Sequence, residues 1–420
     1  MSISCANSVR PPFMTLPRAP AQCRSSTESS PSHLGGLSRD LVFAAILCAV
    51  GVSASPAQPQ ASTPGRTSSF TASPFTGFHE PMVEALLYNP PANEVPWKEP
   101  DKSETTTRKI ETILVVSGKG LPDGAYRLTY RIESGEQLLH AGAGEVSAAY
   151  GGFELVVTLG RNYPGATRVS YELEGEKRAA VRGHAALRWS RFRGQVKYLD
   201  DRWRSTYAKL HPNGFASAAL FYVPIGDDGR FDAWLPARVY SVINVNGAGY
   251  SRDAMERWAW DYDLTRDREE VFSIGRTELY AMHAFNIVGG PQTVFVAFRP
   301  TALSRVLQFD ADGDGRVSDG ERKAMMAAMK LSPTVIGPEL QAADVTVWIN
   351  GVPQKIAQFN QIPEYDGDFW QVQYLLQFLP EPRLAYGVWH EIKLEVRSKE
   401  NLRGKESIDF GQGSVGLWRK

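Results

Sequence analysis

One short segment of this 420-residue chain places carboxylates and a hydroxyl at intervals that suit a metal ion. It runs from Phe309 to Glu321, with the sequence FDADGDGRVSDGE. Carboxylate and hydroxyl oxygens are hard donors, and carboxylates at alternate positions of a tight loop can converge on one point. Gly315 permits a sharp turn that a Cβ atom would oppose. The chemistry that this pattern favours is coordination of a hard divalent cation.

The spacing resembles the twelve-residue calcium loop of the EF-hand family. Counted from Asp310, the ligand positions of that loop carry oxygen-bearing groups, and the central glycine falls on Gly315. The resemblance is confined to residues 301–331, and it implies a single bound Ca²⁺. It assigns the metal ligands as the carboxylates of Asp310, Asp312 and Asp314, the backbone carbonyl of Arg316, Ser318 directly or through water, and Glu321 as a bidentate carboxylate.

The flanks of the loop have the helical spacing that a helix-loop-helix hand requires. Apolar residues recur at this spacing before the loop and after it: Ala302, Val306 and Phe309, then Met325, Met326 and Met329. Ser318 and Glu321 form the S-x-x-E pattern of a capping box, which predicts that the second helix begins inside the loop and ends near Leu331. Arg305 and Arg322 stand where the family often has apolar residues, which predicts looser helix packing than in a calcium sensor.

Two plainer interpretations of the loop stay open. It could be a solvated Asp/Gly-rich turn that binds nothing, or it could bind calcium only to stabilise the fold. EF-hands that sense calcium usually occur in pairs, and the other acidic segments, at 227–229, 261–263 and 366–368, lack the later ligands. Outside the cytosol calcium is high enough to fill even weak sites, with dissociation constants of roughly 10⁻⁴–10⁻³ M. Structural calcium is therefore favoured over switching.

The first residues predict export. Residues 41–52 form an apolar run that is too short to span a bilayer, and small residues follow it, so residues 1–54 are interpreted as a signal peptide. Residues 55–76, rich in Pro, Ser and Thr, are expected to be a disordered linker. All three cysteines lie before residue 50, so the mature chain would lack thiols and disulfides. The expected location is periplasmic, envelope-associated or extracellular, with no transmembrane span in the mature chain.

Alternation of apolar and polar residues predicts a mainly β fold. In one segment Tyr126, Leu128, Tyr130 and Ile132 lie on one face of a predicted strand, and turn signals separate such segments between residues 104 and 175. We expect a multi-domain, immunoglobulin-like β-sandwich protein with one inserted helix-loop-helix EF-hand. The predicted domains are a β-sandwich at 77–175, a second β-rich domain at 176–292 and an immunoglobulin-like domain at 293–420 with the hand inserted at 301–331. A short helix is also expected around 252–260.

The charge balance bears on the partners. The chain has 46 basic and 46 acidic residues, so a basic field over the whole protein, as nucleic acid would require, is excluded. Basic and aromatic residues are interleaved between Lys177 and Lys209, which is typical either of polyanion binding or of strands with basic solvent faces. The second interpretation is favoured, and no nucleic acid partner is expected. The expected partners are calcium and a protein or glycan at the cell surface.

Aromatic residues beside carboxylates suggest a second function. Trp258, Trp260 and Tyr262 surround Asp261 and Asp263, a composition that suits either a sugar-binding platform or an ordinary sandwich core. The pair Trp370 and Tyr374 is open to the same two interpretations. The chain lacks the histidine pair of zinc hydrolases, the serine elbow and the nucleotide-binding loops, so no catalytic residue is predicted.

The expected function is therefore that of an exported calcium-binding scaffold or surface-binding protein. The alternative is a carbohydrate-binding module, or the accessory domains of a secreted hydrolase. Paired carboxylates on separate strands leave an enzymatic role open, because a sequence cannot place them in one cleft.

Overall fold

The computed structural model describes residues 82–92, 94–98, 105–176, 180–199, 205–215, 217–246, 252–287 and 292–419. The expected signal peptide at 1–54 and the linker at 55–76 lie outside these residues. The described part of the chain is mainly β and contains several sheets, as the alternation predicted. None of its helices has the length and apolar character needed to cross a membrane.

The first nine strands build two layers around one apolar core. Their order is β1–β4–β7 in one sheet and β6–β5–β8–β9 in the other, and a separate ribbon pairs β2 with β3. The strands are β1 (Met82–Tyr88), β2 (Glu94–Lys98), β3 (Thr105–Lys109), β4 (Thr112–Lys119), β5 (Gly124–Ser134), β6 (Gln137–Ala148), β7 (Gly152–Leu159), β8 (Arg168–Gly175) and β9 (Val181–Ala186).

Burial in this region follows the sequence pattern strand by strand. On β5 the predicted apolar face is buried and Arg127 and Arg131 are exposed, so the alternation there is confirmed. On β1 the last four residues are all buried, because Ala85 and Leu87 face one core while Leu86 and Tyr88 face another. A strand covered on both faces has a continuous apolar run instead of an alternating one.

The middle of the chain supplies nine more strands, the first seven around the second core and the last two around a third. These are β10 (Trp189–Tyr198), β11 (Tyr207–His211), β12 (Phe221–Pro224), β13 (Arg230–Pro236), β14 (Arg238–Asn246), β15 (Arg257–Leu264), β16 (Arg268–Ile274), β17 (Thr277–Asn286) and β18 (Val294–Ala302). The helix expected at 252–260 is wrong, because residues 257–260 lie in β15. That strand pairs antiparallel with β14, and its tryptophans pack as strand side chains.

The last six strands complete this third core. They are β19 (Val345–Ile349), β20 (Val352–Gln354), β21 (Ile356–Tyr365), β22 (Trp370–Phe378), β23 (Trp389–Leu402) and β24 (Lys405–Trp418). Strand β24 pairs with β23 along its whole length and, in parallel, with β15 and β17. One sheet of 12 described strands therefore runs from β12 to β21. It contains strands from both sides of the domain boundary expected at position 292.

The helices of the described residues lie between β18 and β19. Helix α1 (Leu303–Val306) is a single turn and continues as a 3₁₀ turn at Leu307–Phe309. Helix α2 (Asp319–Met329) follows the acidic loop, and a second 3₁₀ turn at Ala342–Asp344 leads into β19. The acidic loop is therefore carried by an insertion at one end of the third core.

Candidate metal centre

Local sequence explains how the acidic segment folds. The Ser318 hydroxyl accepts a hydrogen bond from the Glu321 backbone N–H, and the Glu321 carboxylate accepts one from the Ser318 backbone N–H at 2.8 Å. This is the predicted capping box, and it starts α2 at Asp319. The helix ends at Met329, close to the predicted end, with Met325 and Met329 buried beneath it.

The loop brings three carboxylates together. Single carboxylate oxygens of Asp310, Asp312 and Asp314 lie within 4.8 Å of one another. Oxygens that surround a calcium ion at about 2.3–2.6 Å can be separated by at most twice that distance, about 4.6–5.2 Å. The separation between these oxygens therefore fits one shared cation, and the donor type is the hard oxygen that calcium prefers.

Backbone N–H groups hold these carboxylates in place. The two oxygens of Asp310 accept from Gly313 at 2.8 Å and from Gly315 at 2.9 Å, while Asp314 accepts from the backbone of Arg316 at 2.8 Å. Both glycines have left-handed backbones, with φ of +81° and +83°, which residues with a Cβ rarely adopt. Local hydrogen bonds thus determine how the loop folds around the three carboxylates.

Glu321 lies outside the three-carboxylate group. Its carboxylate accepts from the backbone of Ala311 at 2.5 Å and from the Ser318 hydroxyl at 2.7 Å. The hydrogen bonds from Ala311 and Ser318 lower the pKa of Glu321. Because Ala311 directly follows Asp310, these bonds bring the end of the loop back to its beginning.

Asp310 is the buried member of the site. It is 3% exposed, whereas Asp312 and Asp314 are exposed to solvent. Burial raises the pKa of Asp310, but the hydrogen bonds from Gly315, Arg403 and Gly313 outweigh that effect and hold the pKa below its ordinary value. The carboxylate is therefore ionised at neutral pH, as a metal ligand must be.

An arginine from a distant hairpin also contacts Asp310. The Nη2 atom of Arg403 lies 3.0 Å from Asp310 Oδ2, and the same guanidinium donates to the Asp310 backbone carbonyl. Arg403 lies in the turn between β23 and β24. Sequence reasoning missed this residue, because nothing near the loop indicates which part of the chain packs against it.

The same hairpin anchors the helical segment before the loop. Arg305, an expected sign of loose packing, forms a 2.8 Å ion pair with buried Glu400 of β23 and donates to the Thr334 carbonyl. Gln308 donates to the Asn401 carbonyl at 3.2 Å. The expectation of loose packing is wrong for Arg305, because a buried carboxylate pairs with its charge.

A buried aspartate of β24 fixes the first turn of α1. Asp409 is completely buried and accepts hydrogen bonds from the Ser304 backbone N–H at 2.7 Å and from the Ser304 hydroxyl at 2.8 Å. Arg276 donates to the same carboxylate at 2.9 Å and carries the balancing charge. Asp409 thus attaches the helical turn before the acidic loop to the sheet, and sequence reasoning missed it as well.

The other segments flagged by sequence have structural explanations. Three described cations of the basic stretch are paired with carboxylates: Arg182 with Glu172, Arg191 with Asp232 and Arg193 with Glu269. Residues 177–179 and 200–204 lie outside the described part. Trp258 and Tyr262 are buried in the core, as is Tyr374. An exposed aromatic platform formed by Trp258, Trp260 and Tyr262 is therefore wrong.

Comparison with known proteins finds no family. No family model matches the chain, and no curated protein matches it. A crystal structure of a DUF3823 family protein from Parabacteroides merdae is 10% identical, covers 55% of this chain and 98% of its own, and has a TM-score of 0.17. Its counterpart from Bacteroides ovatus is 9% identical and covers 56% and 100%, with a TM-score of 0.18.

A third solved structure, a bacterial adhesin from Mobiluncus mulieris, is 9% identical and covers 50% of this chain and 91% of its own. Its TM-score is 0.14. At such TM-scores none of these likenesses carries an argument about this chain.

Proposed function

We propose that this chain is an exported calcium-binding protein in which one EF-hand-like loop holds a structural Ca²⁺. The observation that carries the proposal is the convergence of Asp310, Asp312 and Asp314 within 4.8 Å. In the bound state these carboxylates, the Arg316 carbonyl, Ser318 and Glu321 supply the ligands. The ion contributes a divalent positive charge that offsets their mutual repulsion.

A structural role follows from where the loop is anchored. Asp310 and the helical segment before it are tied to the β23–β24 hairpin through Arg403, Glu400 and Asp409. A cation that fixes Asp310 therefore also restrains the insertion against the sheet. Among the described residues the three aspartates are the single group of metal-ligating side chains of this kind, which favours a structural site over a paired sensor.

The proposal also includes the fold of the C-terminal region and export of the protein. We infer that the region after position 293 is an immunoglobulin-like sandwich, because β19, β23 and β24 pair antiparallel around an apolar core. Export follows from the leader predicted at 1–54. Together they describe a scaffold or binding protein of the cell surface or envelope, in which calcium stabilises the C-terminal region.

Calcium titration of the chelator-stripped mature chain tests the proposal. At free calcium 100 times the dissociation constant, binding to the native state alone adds about 2.7 kcal/mol to the free energy of unfolding. For a domain of about 150–250 residues this raises the melting temperature by about 5–10 °C. Calorimetry should give one ion per chain. An absence of both binding heat and a melting shift would reduce the loop to a solvated turn.

Arg403 is expected to weaken calcium binding. Its guanidinium contacts Asp310, so a cation in the loop is repelled by a nearby positive charge. Replacing Arg403 with glutamine should lower the calcium dissociation constant about threefold to tenfold, equivalent to about 1 kcal/mol. Calorimetric titration at low ionic strength measures this change directly.

Lys405→Gln is the matched control for this substitution. Lys405 lies at the start of β24, is exposed and forms no ion pair with a described residue. The Lys405→Gln substitution removes a positive charge from the same hairpin and leaves the contacts of Asp310 unchanged. Equal changes in affinity for the two variants would show that net charge, and not the contact with Asp310, sets the effect.

A further inference from the structure

A cleft of about 470 Å³ lies beside the strands β15, β23 and β24, away from the acidic loop. Its volume falls in the range of about 300–1,000 Å³ that is usual for small-molecule sites. Its lining includes Trp260, Asp261, Asp263, Arg266, Trp389 and Glu391.

Strand pairing brings these residues together from distant parts of the sequence. Trp260 is opposite Val415 in the parallel β15–β24 pair, and Glu391 is opposite Gly416 in the β23–β24 pair. A Cβ atom on Gly416 would lie 2.0 Å from the Asp261 carbonyl oxygen, so the absence of a side chain there allows the backbones to approach. Glycine at this position is what lets the two sides of the cleft meet.

The backbone of Asp261 is unusual. Its φ is +46°, a left-handed conformation that is uncommon outside glycine and that tends to occur at functional sites. Burial raises the pKa of its carboxylate, and the opposing electrostatic effect of His283 is smaller. The chain therefore holds a strained, partly desolvated carboxylate at the cleft.

The remaining charges lie at the sides of the cleft. Asp263 accepts from the hydroxyl of Thr265 at 2.6 Å, while Arg266 is exposed and forms no ion pair with a described residue. Glu391 is already paired with Arg268 at 2.9 Å. Neither sign of charge dominates the lining, so the cleft offers separate hydrogen-bond donors and acceptors and does not favour an ion of one sign.

Two tryptophans supply the apolar surface. Trp260 is half-buried and stacks on Trp258, with 5.6 Å between the ring centroids. Trp389 is also half-buried and packs against Trp418 at 5.7 Å. Each indole is braced by a neighbouring ring. An aromatic face carries partial negative charge and suits the weakly positive C–H groups of a polar ring.

We propose that this cleft binds a neutral saccharide, with Trp260 and Trp389 against the sugar ring and Asp261, Asp263 and Arg266 on its hydroxyls. A hydrocarbon ligand would leave these charged groups without partners, which is costly. Sugar hydroxyls both donate and accept hydrogen bonds, so they can pair with the carboxylates and with the guanidinium at once. The proposal does not depend on calcium, because none of these residues belongs to the acidic loop.

The test is a binding screen on the full mature chain with glucose, galactose, mannose, N-acetylglucosamine, maltose and cellobiose as probes. Tryptophan fluorescence detects binding and calorimetry quantifies it, each in calcium and in EDTA. At least one probe should bind in both conditions, which separates this site from the metal proposal. If no probe binds in either condition, the proposal is overturned.

Substitutions then locate the bound sugar. Trp389→Ala should raise the dissociation constant about tenfold or more, and Arg266→Gln about threefold to tenfold. Trp234→Ala is the matched control, because Trp234 is 55% exposed on β13 and does not line the cleft. Arg266 is exposed, so its variant tests the site even where Trp389→Ala reduces folding. Unchanged affinity in Arg266→Gln, or equal losses in Trp389→Ala and Trp234→Ala, would overturn the proposal.

Discussion

Replacing Glu321 with glutamine is expected to raise the calcium dissociation constant by about two orders of magnitude and to remove most of the calcium-dependent rise in melting temperature. The proposed role of Glu321 is that of a bidentate ligand, which an amide with one oxygen cannot fill. The amide oxygen can still accept a hydrogen bond from Ala311 or Ser318, so the start of α2 should persist. Melting curves in calcium and in EDTA measure the difference.

The comparison in EDTA separates a lost ion from a damaged helix. Without calcium, Glu321→Gln should differ from the parent by no more than about 1 kcal/mol, the usual size of one hydrogen bond. Glu339→Gln is the matched control, because Glu339 is exposed in the same insertion and outside the loop. If Glu321→Gln kept the full calcium-dependent stabilisation, the structural calcium site would be refuted.

Replacing Asp409 with alanine is expected to lower the free energy of unfolding by about 3 kcal/mol. The substitution removes a completely buried carboxylate and leaves the Ser304 backbone N–H and the Arg276 guanidinium without their acceptor. Breaking a buried ion pair from one side is costly because the remaining charge stays in a poorly solvated place. Urea denaturation in EDTA, where calcium makes no contribution, measures the loss.

Glu406→Ala provides the control for this second prediction. Glu406 lies on the same strand as Asp409 but is exposed. Its replacement by alanine removes the same negative charge. Its effect should stay within about 0.5 kcal/mol, as for most surface substitutions. Similar losses in the two variants would show that the contacts of Asp409 with Ser304 and Arg276 do not anchor the insertion.

The sequence alone was sufficient for features that depend on neighbouring residues. The Asp310, Asp312 and Asp314 series and the capping box of Ser318 and Glu321 fall within twelve residues, where local hydrogen bonds determine the geometry. The alternation in β5 likewise predicted its buried face, because side chains of a strand point to opposite sides whatever the partner strand is. The conformation of the loop and the mainly β class can therefore be predicted without tertiary information.

The expected exposure of aromatic residues failed where burial depends on distant packing. Trp258 and Tyr262 have the alternating spacing of a platform, yet both are buried. Trp260 is half-buried, and it lines the cleft together with the buried Tyr262. The helix expected at 252–260 failed for a related reason, because pairing with β14 and β24 extends this segment into a strand. Local patterns do not reveal which surface another strand will cover.

Tertiary structure alone decided what the acidic loop is attached to and where the cleft lies. Arg403 and Asp409 reach the insertion across 93 and 105 positions of sequence, and the cleft forms because β24 returns to pair in parallel with β15. Such contacts depend on the packing of the whole sheet, and no period or spacing in one segment encodes them. The sequence thus determined the proposed ligand set, whereas the fold determined which strands contact the loop that carries it.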